Sequence, residues 1–525
     1  MKILISDPIE KVCVEILKSE GFEVEEATGL KPEALKDKIS AVDALVVRSS
    51  TQVTADVLAA AKHLRVVGRA GAGVDNIDVE AATRRGIIVM NTPGGNTVST
   101  AEHTVSMILA LCRNIPQANE SLKQGKWERK QFVGTELSGK TIGVVGMGKV
   151  GREVAVRCQS FGMRTIGFDP VLSAEVAAKM RVELVSLAEI FAQSDIITVH
   201  TPLNDETRGL IGEAQFARCR RGVRIVNCAR GGIINEKALL AALESEMVAG
   251  AALDVFEQEP PGDNPLLRHP RVIATPHLGA STEEAQEKVA QQIGRQLADV
   301  LKDRGIVGAV NAEAIQLAMK KELKPYVLLA EKLGSLQAQL MQGALKMVTI
   351  SCSGNLLTQA QEVISAAVLK GIFSHVMTEP VNLVNAPAIA RELGVVFVEK
   401  REAEHADYSN LIGVAYETDV EKRAFAGTVF GSSHLRIVKI DDFHFEVNPE
   451  GHLLFYRNID KPGMLARVGG ELATAGVNIA GLALGREGPG QKALTIINTD
   501  SPVSPEILKK LGRMEGVFDV RSARL

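Results

Sequence analysis

The stretch TIGVVGMGKVGREVAVRC, residues 141–158, determines the fold class of this chain. An apolar strand pattern leads directly into Gly146, Gly148 and Gly151, and a helical pattern follows from Arg152 to Cys158. In such an arrangement the first glycine permits a tight turn, the second lets the backbone approach a pyrophosphate, and the third lets helix and strand pack. The helix N-terminus then faces the phosphates. The stretch therefore predicts a dinucleotide-binding unit within a parallel sheet.

An acidic residue refines this prediction. Asp169 ends the next strand, TIGF, residues 165–168. A carboxylate at this place accepts hydrogen bonds from both ribose hydroxyls and repels a 2′-phosphate, which favours NAD over NADP. A glycine-rich turn with a capping aspartate is the structural alternative. Strand, glycines, helix and acid together favour NAD as the cofactor.

The alternation of short apolar strands and amphipathic helices extends in both directions along the chain. It predicts an α/β protein with two Rossmann-like, doubly wound parallel-sheet domains. Crossings near residues 98 and 283 predict a hinge with a cleft. The expected domains are a discontinuous substrate-binding domain, residues 1–97 and 283–310, and an NAD-binding domain, residues 98–282.

The pattern changes after residue 310. Residues 311–448 mix helices and strands and predict an α+β domain, in which Arg436 and Lys439 do not decide between an anion-binding regulatory module and a spacer. Residues 452–525 follow the order βαββαβ, which predicts a ferredoxin-like domain.

Composition excludes several classes of protein. The chain has 525 residues, which suggests about three or four folding units. A formal net charge of -3 argues against nucleic-acid binding. Apolar runs stay short of the ~18 residues that a membrane span needs, and the six cysteines show no CxxC pair or metal-ligand spacing. We expect a soluble, cytoplasmic protein with free thiols, no leader segment and no metal.

Three later strands end in side chains that suit hydride-transfer chemistry. Arg230, Glu259 and His277 follow these strands, and the carboxyl ends of parallel strands meet at one edge of a sheet. A histidine paired with a carboxylate suits a proton acceptor, and arginine suits a substrate carboxylate. A surface charge, a loop acid and a turn histidine are the alternatives. His200 and His103 favour packing or hinge roles, although spacing alone does not separate them from His277.

Six motifs carry a resemblance to a known family. Together they resemble the D-isomer-specific 2-hydroxyacid dehydrogenases over residues 1–310, and LFYRNIDKPGMLARVGGELATAGVNIAG, residues 454–481, is similar to the ACT domain that ends the long form of that family, after an intervening domain. The motifs are GRAGAGVDNID (68–78), NTPGGNT (91–97), GMGKVG with FDP (146–151 and 168–170), VNCARGG (226–232), ALDVFEQEP (252–260) and PHLGAST (276–282).

The resemblance implies an activity and a set of roles. It implies NAD-dependent oxidation of 3-phospho-D-glycerate to 3-phosphohydroxypyruvate, the first step of phosphorylated L-serine biosynthesis. Arg230 would anchor the substrate, His277 would accept the proton and Glu259 would be its acid partner. Implied cofactor contacts, besides the glycines, are Lys149 and Val150 by backbone, Asp169, Thr201, Cys228, Ala229, Arg230, Asp254, His277, Gly279 and Ala280. Implied substrate contacts are Arg48 for the phosphate, Ser49, Gly71, Ala72, Gly73 and Asn96.

Two further sets of residues rest on the same resemblance. The segment 126–130 can cross a dimer interface and lend Arg129 or Lys130 to the neighbour's substrate, with a solvated loop as the alternative. Asn458, Asp460 and Asn478 are candidates for binding L-serine as an effector, with a helix cap and a turn asparagine as alternatives. A homo-oligomer, dimer or tetramer, is implied. The chain departs from the family at Asp442, where glycine is common.

Two rival functions remain open on the sequence. A reductase of glyoxylate or hydroxypyruvate shares the three strand-end residues but usually lacks the C-terminal extension. A non-metabolic protein that senses NAD(H), as the related corepressors do, shares the dehydrogenase core. The extension and Arg48 favour the phosphorylated substrate.

Overall fold

The structure is a computed structural model that describes residues 1–318, 320–377, 380–402 and 405–525. It contains four sheets. Two are parallel throughout and two are largely or wholly antiparallel, and helices cover them. The predicted fold class is confirmed.

The first sheet is five-stranded and parallel, with the order β2-β1-β3-β4-β5. Its strands read as continuous apolar runs, as in Ala44–Val47, because helices cover both faces. Its elements are β1 (Lys2–Ile5), α1 (Lys11–Ser19), β2 (Glu23–Glu26), α2 (Pro32–Ile39), β3 (Ala44–Val47), α3 (Ala55–Ala60), β4 (Val66–Arg69), α4 (Val79–Arg84) and β5 (Ile88–Met90).

The second sheet is seven-stranded and parallel, with the order β12-β11-β10-β9-β6-β7-β8. The order reverses at β6 and β9, which places a ligand crevice at their carboxyl ends. Its elements are α5 (Thr97–Arg113), α6 (Ile115–Lys123), β6 (Thr141–Val145), α7 (Lys149–Ser160), β7 (Arg164–Phe168), α8 (Ala174–Lys179), β8 (Glu183–Leu184), α9 (Leu187–Gln193), β9 (Ile196–Val199), α10 (Glu213–Phe216), β10 (Val223–Asn227), α11 (Glu236–Glu244), β11 (Val248–Leu253), β12 (Val272–Ala274) and α12 (Glu283–Leu301).

Helices α5 and α12 carry the two crossings between these sheets. Helix α5 begins at Thr97, three residues before the start that its helical pattern suggests, and packs Ala101 and Ile108 into the core of the second sheet. Helix α12 begins after the N-cap Thr282, whose hydroxyl accepts from the backbone N–H of Ala285 at 3.2 Å. It returns to the first sheet, where Ile293 packs into the same core as Ile3.

The third sheet, with the order β14-β13-β15-β16-β17-β18, packs on helix α14 and the buried helix α16. The sequence predicts a strand at 345–352 and one strand that carries Arg436 and Lys439, but it leaves the other three antiparallel strands of 411–447 unassigned. The elements are α13 (Glu313–Ala318), α14 (Lys324–Leu340), β13 (Leu345–Ser353), α15 (Asn355–Thr358), α16 (Gln361–Phe373), α17 (Ala386–Glu392), β14 (Val396–Glu402), β15 (Leu411–Thr418), β16 (Lys422–Phe430), β17 (His434–Ile440) and β18 (Phe443–Val447).

The fourth sheet, with the order β20-β21-β19-β22, has the predicted βαββαβ sequence of elements. Its own helices cover one face. On the other face Leu453, Phe455 and Ile496 join the core of the third sheet, and the ion pair between Arg521 and Glu421, at 3.2 Å, lies beside that junction. The elements are β19 (His452–Ile459), α18 (Met464–Thr474), β20 (Ile479–Arg486), β21 (Lys492–Thr499), α19 (Pro505–Gly512) and β22 (Val517–Arg524).

Among the helices of the described residues, none combines the length and apolar composition that a membrane crossing requires.

Candidate active site

The glycine-rich loop after β6 has a separate physical requirement at each glycine. Gly146 has a φ of 93°, and a Cβ there would lie 2.6 Å from the carbonyl oxygen of His200. Gly148, the N-cap of α7, faces open space. A Cβ on Gly151 would lie 2.0 Å from the carbonyl oxygen of Gly146. The loop therefore leaves a backbone cradle at the N-terminus of α7, and its Lys149–Val150 amides begin the helix.

Asp169 lies at the carboxyl end of β7, where the ribose of a dinucleotide would lie. Its Oδ2 accepts from the backbone N–H of Met147 at 2.9 Å, and its Oδ1 accepts from that of Val171 at 2.9 Å. Burial raises the pKa of this carboxyl, but the backbone donors of Val171, Met147 and Leu172 outweigh it, so the pKa is lowered. The ionised carboxylate retains acceptor sites for ribose hydroxyls.

The open side of Gly148 and one buried hydroxyl fit a bound NAD. Among the described residues, the Oγ1 of Thr201 is buried without a hydrogen-bond partner. A buried hydroxyl in this condition is rare in a folded protein, and it lies directly after β9 at the crevice edge. The residues present therefore fit the cofactor that the glycine loop predicts.

Asp254 organises the loop that follows β12. It is fully buried, and its carboxylate accepts from the backbone N–H groups of Leu278 at 2.8 Å and Gly279 at 2.9 Å. Burial raises its pKa, but hydrogen bonds from His103 and Thr275 help to lower it overall. Asp254 thus fixes the predicted Gly279–Ala280 turn from beneath.

Glu259 and His277 form the hydrogen-bonded pair that the strand ends predict. The Nδ1 of His277 lies 2.6 Å from the Oε2 of Glu259, and the Oε1 of Glu259 accepts from the backbone N–H of Phe256 at 3.1 Å. Burial raises the pKa of Glu259, but the hydrogen bond from His277 counteracts it and the pKa is lowered. An ionised Glu259 accepts the Nδ1–H, which leaves Nε2 as the basic nitrogen.

Arg230 crosses from the second sheet to the first. Its Nε lies 3.0 Å from the Oδ2 of Asp75, and its Nη1 donates to the carbonyl oxygen of Ala229 at 2.7 Å. Asn227 supports the turn beneath it: its Nδ2 donates to the carbonyl oxygen of Arg230 at 2.8 Å, and its Oδ1 accepts from the N–H of Ala229 at 3.0 Å. Neighbouring Cys228 is buried, which raises the pKa of its thiol to about 12, so it is no thiolate at neutral pH.

Arg69 is a third guanidinium of this cleft, beside Arg230 and Arg48. Burial, together with the positive charges of Arg230 and Arg48, lowers the pKa of Arg69 to about 10. Its Nε donates to the Oδ1 of Asn76 at 2.8 Å. Asn76 in turn donates from Nδ2 to the carbonyl oxygens of Arg48 and Thr51. Three cations gathered in one cleft suit a substrate with several negative charges.

The predicted Arg48–Ser49 corner is held from the end of β1. Buried Asp7 accepts from the backbone N–H of Arg48 at 2.6 Å and from the hydroxyl of Thr51 at 2.7 Å. The Nζ of Lys149 donates across the cleft to the carbonyl oxygen of Pro93 at 3.3 Å. Asn96 is the N-cap of α5 and makes no side-chain cap hydrogen bond.

The two other histidines occupy different places. His200 contacts the hydroxyl of Thr198 at 3.0 Å, and burial lowers its pKa to about 4, so it is neutral and serves packing, as expected. His103, on the crossing helix α5, lies 3.1 Å from both the Oδ1 of Asp254 and the Oγ1 of Thr275. His103 therefore links the crossing helix to the loop that carries His277.

The remaining candidates lie away from this cleft. Arg129 and Lys130 lie in a short 3₁₀ helix, exposed beside Trp127, which is 77% exposed. Asn458 is buried in β19, and its Oδ1 accepts from the hydroxyl of Thr495 at 3.1 Å. Asp460 pairs with Arg486 at 3.0 Å, and Asn478 donates to Asp500 at 2.6 Å. The three effector candidates thus each have partners within their own sheet.

Sequence reasoning missed five residues of the cleft. Each of them positions or neighbours a predicted residue through a side-chain contact. The one available signal was position, because four of them lie inside a quoted motif and the fifth, Asp7, follows a predicted strand. They are Asp7, Arg69, Asp75, Asn76 and Asn227.

Family profiles match three parts of the chain. The NAD-binding domain of the D-isomer-specific 2-hydroxyacid dehydrogenases matches residues 105–279, the D-3-phosphoglycerate dehydrogenase intervening domain matches residues 322–441, and the ACT domain matches residues 452–516. The profiles fall on the second, third and fourth sheets.

Individual proteins agree with these profiles. The D-3-phosphoglycerate dehydrogenase of Archaeoglobus fulgidus is 43% identical over 528 residues, with 100% of both chains covered. That of Bacillus subtilis is 42% identical over 521 residues, with 99% of both chains covered. The NAD-dependent formate dehydrogenase from Staphylococcus aureus, solved in complex with NAD, is 29% identical with a TM-score of 0.53 and covers 58% of this chain and 97% of its own. The chain therefore belongs to the D-3-phosphoglycerate dehydrogenase family and is an NAD-dependent oxidoreductase with an intervening and an ACT domain.

Proposed function

We propose that this enzyme oxidises the C2 hydroxyl of 3-phospho-D-glycerate to give 3-phosphohydroxypyruvate. The observation that carries the proposal is the His277–Glu259 pair at 2.6 Å, in the same cleft as Arg230. An alcohol oxidation needs a base for the hydroxyl proton, and a carboxylate-bound imidazole provides one. The arginines of the cleft determine the substrate specificity.

Each residue of the proposed site has one chemical task. Bound NAD supplies the hydride acceptor. His277 accepts the hydroxyl proton at Nε2, since Glu259 holds Nδ1–H, and Glu259 stabilises the imidazolium that results. Arg230 binds the substrate carboxylate and stabilises the developing carbonyl oxygen. The cleft between the first two sheets excludes water when it closes.

Charge supports a phosphorylated substrate. A phosphate ester carries a charge of about −1.5 to −2 at neutral pH, and a carboxylate adds one more. Arg48, Arg69 and Arg230 surround the cleft with three positive charges. We assign Arg48 to the phosphate, because it is the arginine of the exposed corner after β3, and Arg230 to the carboxylate. Ser49, the Gly71–Gly73 backbone and Asn96 complete the proposed contacts.

We propose the following domain limits, which the four sheets and their hydrophobic cores support. The substrate-binding domain comprises residues 1–97 and 283–310, the NAD-binding domain 98–282, the intervening domain 311–448 and the ACT domain 452–525.

We propose further that the chain forms a homodimer or homotetramer in the cytoplasm, in which Arg129 and Lys130 reach a neighbour's substrate. L-serine would bind at Asp460 and Asn478, with Asn458 shaping the sheet beneath, and would inhibit.

One assay tests the activity. Purified protein with NAD should form NADH from 3-phospho-D-glycerate with a kcat/KM at least about 10²-fold above that for D-glycerate, because D-glycerate leaves Arg48 unpaired. NADH absorbance measures both rates, and an arm with added L-serine should show a lower rate. Equal rates on the two acids would favour an unphosphorylated substrate, and silence on both with tight NADH binding would favour a sensor.

Asp169 should determine the choice of cofactor. Asp169→Ser removes the charge that repels a 2′-phosphate, so the ratio of kcat/KM for NAD to that for NADP should fall at least about tenfold. Steady-state rates with each cofactor measure the ratio. Glu175→Ser, an exposed carboxylate of α8 paired with Lys179, is the matched control and should leave the ratio unchanged. An unchanged ratio in Asp169→Ser would place the ribose elsewhere.

A further inference from the structure

Asp75 is an acidic residue that contacts one of the three arginines of the cleft. It lies in the loop between β4 and α4, and its Oδ2 contacts the Nε of Arg230 at 3.0 Å. Arg230 comes from the second sheet, 155 residues away in the chain, so the pair spans the cleft between the two domains. The side chain of Asp75 is 59% exposed, and an exposed ion pair contributes little to stability. The Asp75–Arg230 ion pair therefore acts on the site and not on the stability of the fold.

The contacts of Arg230 define what Asp75 does. A guanidinium has five N–H donors in one plane. The Nη1 is held by the carbonyl oxygen of Ala229 at 2.7 Å, and the Nε is held by Asp75. Two anchors at different corners fix the plane, and they leave donors on Nη1 and Nη2 for a ligand.

The unanchored Nη2 lies against the loop 71–73, which sequence assigns to substrate binding. A Cβ built on Gly73 would lie 2.0 Å from the Nη2 of Arg230 and 2.7 Å from the Oδ2 of Asp75. Only a glycine lets guanidinium, carboxylate and loop backbone meet this closely. The geometry therefore brings the free donors of Arg230 and the loop backbone to one place.

Repulsion between the arginines is a second reason for a carboxylate here. The positive charges of Arg230 and Arg48 both act on Arg69, and the negative charges of Asp75 and Asp7 oppose them. Loss of Asp75 removes one of these opposing charges, so the repulsion between Arg230 and Arg69 rises. A carboxylate at this point keeps Arg230 inside the cleft.

We propose that Asp75 is a positioning residue that aims Arg230 at the substrate carboxylate from the opposite domain. The inference rests on the proposed function, since it refines the role of Arg230. It does not make Asp75 a catalytic residue, because Asp75 acts only through Arg230. The opposite role, a stand-in that competes with the substrate carboxylate, predicts a lower KM for Asp75→Ala.

Three variants of the full-length enzyme test the role. Asp75→Ala should lower kcat/KM for 3-phospho-D-glycerate about tenfold, mostly through a higher KM, because Arg230 loses one anchor. Asp75→Asn should restore part of the loss, since its amide oxygen still accepts from Nε but carries no charge. Glu80→Ala is the matched control. It removes an exposed carboxylate that lies shortly after Asp75 in the chain and pairs with Arg84, and it should leave kcat/KM unchanged.

Two further readouts separate positioning from damage to the fold. The thermal midpoint and the NADH dissociation constant of Asp75→Ala should match those of the wild type. The loss should be equally large with D-glycerate, which shares the carboxylate and lacks the phosphate. A lower KM in Asp75→Ala, a loss confined to the phosphorylated acid, or no rescue by Asp75→Asn would each overturn the inference. Silence of the wild type on both acids would instead refute the proposed function.

Discussion

Replacing His277 by alanine should lower kcat by about 10²- to 10⁴-fold, which is the contribution of a positioned general base. The imidazole is held by Glu259 through Nδ1, so the variant loses the basic Nε2 and leaves the carboxylate without its partner. NADH affinity should stay within about twofold, because backbone amides and Asp254, not the ring, shape the cofactor side of this loop. Steady-state NADH formation and NADH fluorescence titration measure the two quantities.

Matched variants make the result specific. His63→Ala removes an exposed histidine of the first domain and should leave kcat unchanged. Glu259→Gln should fall between wild type and His277→Ala, because the ring keeps its place but loses the charge that stabilises imidazolium. Near-native kcat in His277→Ala would remove this histidine from the mechanism.

Replacing Arg230 by lysine should lower kcat/KM for 3-phospho-D-glycerate by about 10²-fold, although the charge is retained. An ammonium group cannot contact Ala229, Asp75 and a carboxylate from one rigid plane, as the guanidinium does. Both kcat and KM should worsen, since Arg230 binds the carboxylate of the bound substrate and, in the transition state, also stabilises the developing carbonyl oxygen. Initial rates over a range of substrate concentrations separate the two constants.

The control for this change is Arg220→Lys. Arg220 is half-exposed in the second domain and pairs with Asp195 at 3.0 Å; it precedes β10, whereas Arg230 follows that strand. Its replacement should leave both constants unchanged. An Arg230→Lys enzyme with wild-type KM would show that the substrate carboxylate binds elsewhere, and the Asp75 inference would fall with it.

Local patterns explain why part of the site is predictable. Gly146, Gly148 and Gly151 follow from the steric needs of a tight turn, and Asp169 follows from its place at a strand end. These features depend on a few neighbouring residues. The position of Glu259 and His277 after parallel strands likewise predicts that they lie close together.

Contacts between distant segments explain what was missed. Asp75 reaches Arg230 from 155 residues away, and nothing within its own loop indicates that partner. Asn458 illustrates the opposite case. The family resemblance suggested that its polar side chain contacts a ligand, but the side chain is buried in the sheet and accepts a hydrogen bond from Thr495. Strand β15 alternates buried and half-buried residues, a pattern that its small side chains concealed.

The junction between the third and fourth sheets bears on how this enzyme can be dissected. Leu453, Phe455 and Ile496 are buried in one core with residues of helix α14 and strand β18. A chain cut at residue 450 would leave each part with an apolar face exposed to water, and each part would tend to aggregate. The C-terminal region is thus one module, and a soluble catalytic fragment should be ended near residue 311, ahead of both sheets.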